Sequence, residues 1–579
     1  MDLQWAPVVY TAVCGVGATV LLVKWVRHHQ VQKKIQRARS RRDAGFSQAR
    51  RAVQDFKEKN PGLDLNPIMG LSLDQLTKEI KAGSLKPAAV LHAYMDKALE
   101  LGKTLNCNTG VLMESLTQLS EIESHKDGLL YGIPISIKEN IGYKGHDSTC
   151  GLLCKLDDPE LLDSVVVTVL KKQGAIPFIK TNVPQGLLNY ECSNPIYGMA
   201  VNPRNLKKTC GGSSGGEGSL IGGGGSILGL GTDIGGSIRI PASFCGICGL
   251  KPTSNRISMR GVSSSVKGIK SVHSSIGPMG RDVESLALCM KALLCKDMFS
   301  LDPTVPPIPF NQQVYESSDP LRIGYYENDG FMQPSPSMAR ALRETKKLLE
   351  QAGHTLVPFK PPEIYNAMND YITKGALADG GGTLLKMLKG GPVDPCLQPQ
   401  ILPYSLPNFV KKFLSIVLRP IYPRIAKAMD ATRGFKSIEE LWKHHFDIEN
   451  YVHEVMTQWN ALELDALLCP ALGPAYNFYF CGKLNSALSY TAMYNLLNFP
   501  AGVVPVSTVT AADEAQLNDY KGNFGDIWDK LFVKAVRGGE GLPVAVQCVS
   551  LPWQEEMCLR LMREVEKVHA NKKLSSSTH

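Results

Sequence analysis

The chain has 579 residues, 44% of them hydrophobic, so it is long enough to bury one large core or several smaller ones, and its composition is not that of a disordered protein. Most of the net charge of +9 lies in one segment, because residues 24–51 hold ten Lys and Arg against a single acid, Asp43. The nearly neutral remainder argues against a nucleic-acid groove, so we expect no nucleic-acid partner and an anionic partner at the N-terminus.

The N-terminal segment is typical of a membrane anchor. The nineteen residues from Trp5 to Val23 carry no charge, and a helix of this length roughly matches the hydrocarbon thickness of a bilayer. A secretory signal peptide is the alternative, but its positive charges precede the apolar run, whereas here they follow it. We therefore predict a single-pass transmembrane helix over residues 5–24 and a basic connector over residues 25–60. The positive-inside rule then places the body on the cytosolic face of an intracellular membrane.

The cysteines fit a reducing compartment and suggest no metal site. There are fifteen, an odd number without the spacing of a disulfide framework, and the sequence has no Asn-x-Ser/Thr sequon. Cys245 and Cys248 form one C-x-x-C pair, but no second pair follows at the spacing of a zinc ribbon. We therefore expect no metal.

Beyond residue 60 the chain alternates short apolar runs with helical patterns. Residues 165–185 predict a helix, a glycine stop and the buried strand "AIPFIKT", while "LDALLCP" and "AGVVPVS" are typical of further buried strands. "LPWQEEMCLRLMREVEKV" near the C-terminus predicts a long amphipathic helix. The pattern indicates an α/β fold in which a large mixed, twisted sheet is covered by helices. Because no repeat or long linker interrupts residues 61–579, we expect them to form one large domain.

The glycine-rich stretch at residues 211–236 contains Ser213 in one glycine loop and ends just before Ser237 in a second. It contains neither G-x-x-x-x-G-K-[ST] nor a G-x-G-x-x-G between strand and helix, so no nucleotide cofactor is expected. Residues 211–215 match G-x-S-x-G, the nucleophile elbow of α/β-hydrolases, but so short a match carries little weight among 53 glycines. None of the twelve histidines lies in a motif that would supply the base of such a triad.

Lys138 is the candidate base. In "GIPISIKEN" the isoleucines alternate with Pro134, Ser136 and Lys138, as the two faces of a strand do. Lys138 ends this apolar strand, where an amine is poorly hydrated, and a base near neutral pH requires its pKa to fall from about 10.4 to roughly 7 or 8. The alternative is an ordinary lysine whose stem is buried and whose amine reaches solvent.

Three motifs, in matching order and spacing, resemble the amidase signature family. They are "GIPISIKEN" with Lys138, "GGSSGGEG" with Ser213 and "GTDIGGSIRIPASFCGICGLKPT" with Ser237, and the likeness extends over about residues 70–565. The resemblance implies that Ser237 is the nucleophile, that Ser213 bridges it to Lys138, and that Lys138 is the base. A triad of this kind needs no histidine, metal or nucleotide.

The second serine loop also predicts an oxyanion hole. Two glycines allow consecutive N–H groups to point into one cavity, and the resemblance implies the same set of residues. The set is Ile234, Gly235, Gly236 and Ser237. Three neighbours are expected to have structural roles: Ser214 through a hydrogen bond within its loop, and Asp233 and Arg239 as a brace for the second loop.

The segment at about residues 406–430 predicts a membrane-binding cap. Its apolar residues recur at helical spacing and are interrupted by two prolines. The five charged residues of 406–429 are all basic: Lys411, Lys412, Arg419, Arg424 and Lys427. Two cationic amphipathic helices of this kind are typical of a membrane interface, and the alternative is a core-facing helix pair. The resemblance identifies the segment with the membrane cap of the family's lipid-amide hydrolases.

An anchor and a cap together suggest a substrate taken from the bilayer. The resemblance implies a membrane-bound serine hydrolase that cleaves fatty acid amides, both N-acylethanolamines such as anandamide and primary amides such as oleamide, to a free fatty acid and an amine. It also implies a homodimer at the endoplasmic reticulum and an acyl channel bordered by Leu187, Leu188, Leu488 and Ala492. Two alternatives stay open: an amidase-signature hydrolase acting on another amide or ester, and an inactive membrane scaffold.

Four positions depart from the pattern of the lipid-amide hydrolases: Asn140, Ile141, Ile240 and Asn485. The triad does not depend on them. Ile240 stands in place of an aromatic residue, however, and Asn485 falls in a channel-lining stretch. The preferred acyl chain is therefore left open.

Overall fold

An eleven-stranded sheet runs through the centre of the protein. This computed structural model describes the backbone of residues 5–577 and the side chains of Cys14 and residues 18–572. The strands are β1 (Asn108–Val111), β2 (Pro134–Lys138), β3 (Ile176–Thr181), β4 (Ser193–Asn194), β5 (Gly198–Met199), β6 (Leu228–Asp233), β7 (Cys248–Lys251), β8 (Ser275–Gly280), β9 (Arg322–Tyr325), β10 (Thr355–Pro358), β11 (Ala466–Pro470), β12 (Ala501–Thr508) and β13 (Pro543–Val549). Their order across the sheet is β1-β3-β2-β6-β8-β7-β12-β13-β11-β9-β10, and β4 pairs with β5 separately.

The large sheet is mixed. Strand β2 runs parallel to both of its neighbours, β3 and β6, and β9 runs parallel to β10 and β11. The remaining neighbours are antiparallel. Every residue of β2, β3 and β6 is buried, as expected for strands covered on both faces. The predicted α/β fold with a large mixed sheet is confirmed, and the segments predicted as strands form β3, β11 and β12.

Helices of many lengths surround the sheet. They are α1 (Trp5–Lys59), α2 (Asn66–Gly70), α3 (Leu73–Ala82), α4 (Pro87–Leu105), α5 (Glu114–Glu121), α6 (Val165–Lys172), α7 (Gly215–Gly222), α8 (Arg239–Cys245), α9 (Val283–Leu293), α10 (Lys296–Leu301), α11 (Gln312–Glu316), α12 (Pro336–Gln351), α13 (Ile364–Asn366), α14 (Lys374–Ala376), α15 (Gly382–Leu388), α16 (Gln398–Ile401), α17 (Asn408–Leu418), α18 (Pro423–Ala431), α19 (Ile438–Ala461), α20 (Ser489–Leu496), α21 (Ala511–Gln516), α22 (Ile527–Val536) and α23 (Glu555–Ser577). The two helices predicted from sequence, after residue 164 and near the C-terminus, are α6 and α23.

The basic connector is part of one continuous helix with the segment before it. Helix α1 extends to Lys59, and several of its apolar residues beyond residue 34 are buried against the body of the protein. Two arginines of α1 also bind that body. Arg39 Nε donates to Ile196 O at 2.6 Å, and Arg41 pairs with Asp157 at 2.6 Å. Part of the charge that we assigned to an anionic partner is therefore engaged within the chain.

The predicted transmembrane helix over residues 5–24 falls mainly on residues whose side chains lie outside the described part of the chain. The side chains that are described there, Cys14 and residues 18–24, are exposed. Among the residues that the structure describes, no helix is both long enough and apolar enough to cross a membrane.

The segment predicted as a membrane cap forms α17 and α18. Helix α17 exposes more than half of the surface of Phe409, Phe413 and Ile416, so it has the free apolar face that its spacing predicts. Two of the five cations of this segment do not face outward. Lys411 is buried and donates to a backbone carbonyl at 3.0 Å, and Arg424 is buried between two aspartates.

Arg256 ties the C-terminal helix to the end of β7. It is fully buried in the loop after that strand. Its Nε donates to Glu555 Oε2 at 2.8 Å, and its Nη2 donates to Glu556 Oε1 at 3.2 Å. Both acids lie in the first turn of α23, where the helix dipole also favours negative charge. This buried cluster is therefore a joint between the sheet and α23.

We expect Arg256→Met to lower the free energy of unfolding by about 3–5 kcal/mol, because it leaves two carboxylates buried without their cation. The control is Arg343→Met. Arg343 pairs with Glu327 at 3.0 Å but keeps 62% of its side chain exposed, and such pairs contribute less than about 1 kcal/mol. Thermal unfolding of both variants in the same detergent measures the difference. Equal melting temperatures would contradict the role of Arg256 as a joint.

Candidate active site

Two neighbouring parallel strands bring the predicted site to one edge of the sheet. Strands β2 and β6 are in register, with Ile137 opposite Leu230. Lys138 is the last residue of β2 and Asp233 is the last residue of β6, so both lie at the carboxyl edge of the pair. One serine loop leads into α7, and the other connects β6 to α8. Loops that follow the carboxyl ends of parallel strands are the usual place for an active site in such sheets.

Lys138 is fully buried, and three oxygen atoms surround its amine. Nζ lies 2.7 Å from Ser213 Oγ, 2.8 Å from Thr232 Oγ1 and 3.2 Å from Thr232 O. A neutral amine has two N–H donors and one lone pair, so donation to the two Thr232 oxygens leaves the lone pair for the Ser213 hydroxyl. Burial lowers the pKa of Lys138 to about 7, although the Asp233 carboxylate acts in the opposite direction. The alternative of a lysine whose amine reaches solvent is therefore wrong.

The two serine loops are in contact with each other. Ser214 N donates to Ser237 O at 3.0 Å, which joins the loop before α7 to the loop before α8. Ser213 is buried next to Lys138, whereas Ser237 is half-buried and lines a cavity. The Ser237 hydroxyl makes no hydrogen bond with any residue that the structure describes. The structure thus brings Lys138 and Ser213 together and leaves Ser237 open to the cavity.

One of the backbone amides predicted to form the oxyanion hole already donates a hydrogen bond to the Asp233 carboxylate. Gly236 N donates to Asp233 Oδ1 at 2.8 Å, and a second amide of the loop donates to Oδ2 at 2.9 Å. Within the described part of the chain, the amides of Ile234, Gly235 and Ser237 have no acceptor. The prediction is therefore corrected for Gly236, whose amide is engaged. A glycine is still required there, because its φ is +131°.

Asp233 and Arg239 form the predicted brace. Their side chains are fully buried, with Arg239 Nη2 2.9 Å from Asp233 Oδ1. Burial by itself raises the pKa of Asp233, but Arg239 and the loop amides outweigh it and hold that pKa well below its usual range. Arg239 also donates to Asn495 Oδ1 at 2.6 Å and to Gln547 Oε1 at 2.9 Å. The brace therefore connects the nucleophile loop to α20 and β13.

Sequence reasoning missed Thr232. It immediately precedes Asp233 on β6, and both of its oxygens bind the Lys138 amine. Its carbonyl also accepts a hydrogen bond from Ser214 Oγ at 3.3 Å, so Ser214 binds β6 rather than its own loop. The signal that could have found Thr232 is the pairing of β2 with β6, which the sequence does not reveal.

Glu217 is a second residue that sequence reasoning missed. It is fully buried in the first turn of α7 and accepts hydrogen bonds from Ser136 Oγ at 2.5 Å and Thr181 Oγ1 at 2.8 Å. Burial raises its pKa to about 8. Near neutral pH the acid is therefore mostly protonated, and any charge on it raises the pKa of Lys138. An acid among the glycines of "GGEG" was the available signal.

A cavity of about 310 Å³ adjoins Ser237. The residues predicted to border an acyl channel all line it: Leu187, Leu188, Leu488 and Ala492. Of the four departures, Ile240 and Asn485 also line the cavity. Asn140 instead donates to Ser263 O at 2.9 Å, and Ile141 is buried in the core. Only two of the departures can therefore act directly on a bound substrate.

Comparison with known proteins identifies the class. The sequence pattern of the family described as Amidase matches residues 89–559. The chain is 52% identical over 557 residues to fatty-acid amide hydrolase 1 of Sus scrofa, with 96% of each chain covered. It is also 52% identical over 448 residues to vitamin D3 hydroxylase-associated protein of Gallus gallus, which covers 77% of this chain and 97% of that protein.

A solved structure of a fatty acid amide hydrolase has the same fold. The two superpose with a TM-score of 0.78 at 24% identity, over 94% of this chain and 96% of the other. The fold thus agrees with the family that the sequence shows. The chain belongs to the amidase family.

We expect Gly236→Ala to lower kcat/KM for amide hydrolysis by at least about 100-fold, since it distorts the loop that presents the remaining amides. An added Cβ would lie 2.4 Å from Thr491 Oγ1, at a φ that L residues rarely adopt. Gly235→Ala is the matched control, because its Cβ would meet nothing closer than Leu488 Cδ1 at 3.5 Å. Initial rates on one amide substrate measure both variants. Similar losses in the two would contradict the special requirement at Gly236.

We expect kcat/KM to fall as the pH is lowered through about 7, because below its pKa the Lys138 amine is charged and has no lone pair for Ser213. Lys138→Ala should lower kcat/KM by about 10²–10⁴-fold and remove this acid limb from the residual activity. A pH profile of initial rates tests both statements. An acid limb that survives in Lys138→Ala would assign the titration to another group.

Proposed function

We propose that this protein is a membrane-bound serine hydrolase that cleaves fatty acid amides to a free fatty acid and an amine through a Ser-Ser-Lys triad. The observation that carries the proposal is the buried Lys138 amine, 2.7 Å from Ser213 Oγ, beside a cavity that has Ser237 in its wall. The relative from Sus scrofa, a fatty-acid amide hydrolase that matches nearly the whole chain, supports the substrate class.

In the first step, Ser237 Oγ attacks the carbonyl carbon of the amide. The Lys138 amine takes the proton of Ser213, and Ser213 takes the proton of Ser237 as the new C–O bond forms. The carbonyl electron pair moves to oxygen, where the free amides of the loop stabilise its charge. This step requires a hydrogen bond between the hydroxyls of Ser237 and Ser213. Catalytic hydrogen bonds often tighten only when substrate binds.

In the second step, the amine leaves and water releases the acid. The proton held on Lys138 returns through Ser213 to the substrate nitrogen, the C–N bond breaks, and an ester on Ser237 remains. Water then attacks this ester while Ser213 and Lys138 accept its proton. The C–O bond to Ser237 breaks, the proton returns to Ser237, and the fatty acid is free.

The arrangement of the cap supports entry of substrate from a membrane surface. Helix α17 exposes Phe409 and Phe413, while Ile425 and Met429 of α18 line the cavity. The apolar residues of α18 thus face the cavity, whereas those of α17 face outward. An acyl chain would pass from lipid to the cavity across this one helix pair.

Three further features belong to the proposal: the N-terminal anchor at residues 5–24, a location at the endoplasmic reticulum, and a homodimer. The uncharged run from Trp5 to Val23 supports the anchor. Helix α19 exposes Ile438, Trp442 and Phe446 at helical spacing, and this apolar stripe supports a contact between two copies of the chain.

The test combines labelling with turnover. The full-length chain in detergent is treated with a long-chain fluorophosphonate, the modified residue is mapped by mass spectrometry, and hydrolysis of oleamide is followed in parallel. We expect label on Ser237 and turnover of oleamide. Ser237→Ala should lose the label, and its kcat should fall by at least about 10⁴-fold. Ser213→Ala keeps the nucleophile but lacks the bridge, so it should label slowly.

Two results would change the proposal. Label on Ser237 without turnover of oleamide would retain the serine amidase and reject the lipid substrate. An unlabelled Ser237, in a protein whose melting curve shows that it is folded, would overturn the mechanism.

A further inference from the structure

Helix α20 contacts both the cavity and the nucleophile loop. Its residue Ala492 lines the cavity, as does Leu488 immediately before the helix. Thr491 and Asn495 are fully buried, and both bind the loop. Asn495 Nδ2 donates to Asp233 Oδ1 at 3.0 Å, so it is part of the brace. Thr491 makes a different contact, and no step of the proposed mechanism uses it.

The Thr491 hydroxyl binds the backbone of the nucleophile loop. Thr491 Oγ1 lies 2.6 Å from Gly235 O and 3.1 Å from Leu488 O. A hydroxyl has only one proton to donate, and the shorter distance is that of a strong O–H···O hydrogen bond. The proton is therefore directed at Gly235 O. The carbonyl of Thr491 in turn accepts from Arg239 Nη1 at 2.8 Å, which fixes this turn of α20 relative to the loop.

This hydrogen bond and the one to Asp233 hold a single peptide unit at both ends. The unit joins Gly235 to Gly236. Its carbonyl accepts from Thr491 Oγ1 at 2.6 Å, and its N–H donates to Asp233 Oδ1 at 2.8 Å. Both residues that flank the unit are glycines, so no side chain restricts its rotation. Its orientation is therefore set by one contact from α20 and one from the end of β6.

Two free amides of the loop adjoin this peptide unit. Gly235 N–H precedes the unit and Ser237 N–H follows it, and neither has an acceptor in the described part of the chain. A rotation of the unit changes ψ of Gly235 and φ of Gly236, and hence the relative directions of these two donors. Donors to a developing oxyanion are effective when they are oriented in advance. A group that fixes the unit can thus raise the rate without touching substrate.

We propose that Thr491 is a positioning residue for the oxyanion hole, whose hydroxyl orients the amides on either side of the Gly235–Gly236 peptide unit. The inference rests on the proposed function. Thr491 is not among the residues that line the cavity, so it acts through the loop and not on the substrate directly.

The experiment compares Thr491→Val with Thr491→Ser in the full-length protein in detergent. Valine keeps the branched shape but replaces the hydroxyl by a methyl group, whereas serine keeps the hydroxyl. With oleamide as substrate, we expect Thr491→Val to lower kcat by about 10–100-fold and to leave KM unchanged, because the lost interaction acts in the transition state. Thr491→Ser should keep most of the natural kcat.

A transition-state analogue separates positioning from a general loss of structure. Oleyl trifluoromethyl ketone adds to the Ser237 hydroxyl and places a charged oxygen where the oxyanion of the reaction forms, whereas oleyl alcohol occupies the cavity without one. Binding of each is measured by protection of Ser237 from the fluorophosphonate label. We expect Thr491→Val to weaken binding of the ketone by about the factor that it removes from kcat/KM, and to leave binding of the alcohol unchanged.

The matched control is Thr345→Val. Thr345 is fully buried in α12, and its hydroxyl also donates to a backbone carbonyl, Ala341 O, at 2.8 Å, but it is not among the residues that line the cavity. This variant should keep the natural kcat and the natural affinity for the ketone. Melting curves verify that each variant is folded. Thr491→Ala, whose smaller side chain also lacks the hydroxyl, takes the place of Thr491→Val if the latter does not fold.

Three results would overturn the inference: a natural kcat in Thr491→Val, a lowered kcat with unchanged affinity for the ketone, or an equal loss in Thr491→Ser and Thr491→Val. Absence of oleamide turnover by the natural chain would instead overturn the proposed lipid substrate. Binding of the ketone does not depend on that turnover, so it would still test the role of Thr491.

Discussion

The burial of one amine, that of Lys138, is the constraint on which the rest of the site depends. An ammonium ion inside a sheet is strongly disfavoured, so the amine loses its proton near neutral pH instead of reaching solvent. The surrounding oxygens suit both forms, because three can accept from the ammonium and two suffice for the amine. Nearby carboxyl groups act in the opposite direction, Asp233 most strongly, but burial outweighs them. The burial of Glu217 raises its own pKa to about 8, which limits its charge near neutral pH.

A single carboxylate shapes the loop that faces this amine. Asp233 accepts hydrogen bonds from two loop amides and pairs with Arg239, so the conformation of the loop is set before substrate arrives. Donors that are already oriented need no rearrangement when charge develops on a substrate oxygen. As a consequence, the Gly236 amide donates to Asp233 and is not available to a ligand.

The two cap helices use their charges differently. Arg424 of α18 is buried between Asp526 and Asp529, with its guanidinium 4.3 Å from the centre of the Phe524 ring. This pairing holds α18 on the body of the protein, so that its apolar residues form part of the cavity wall. Helix α17 has no such buried ion pair, and its aromatic face stays exposed. One segment thus combines a wall for the cavity with an exposed apolar surface, which the proposed function assigns to lipid.

The sequence by itself determined the elements of the site that depend on neighbours in the chain. Alternation in "GIPISIKEN" placed Lys138 on a buried strand, and the glycine motifs located Ser213 and Ser237 in adjoining loops. Only the tertiary structure decided which atoms meet. Thr232 reaches Lys138 because β6 pairs with β2. Arg424 points inward because it pairs with Asp526, which lies 102 residues further along the chain. Helical spacing tells which side of a helix is apolar, but not which of its cations finds a buried acid, since that depends on packing between segments distant in sequence.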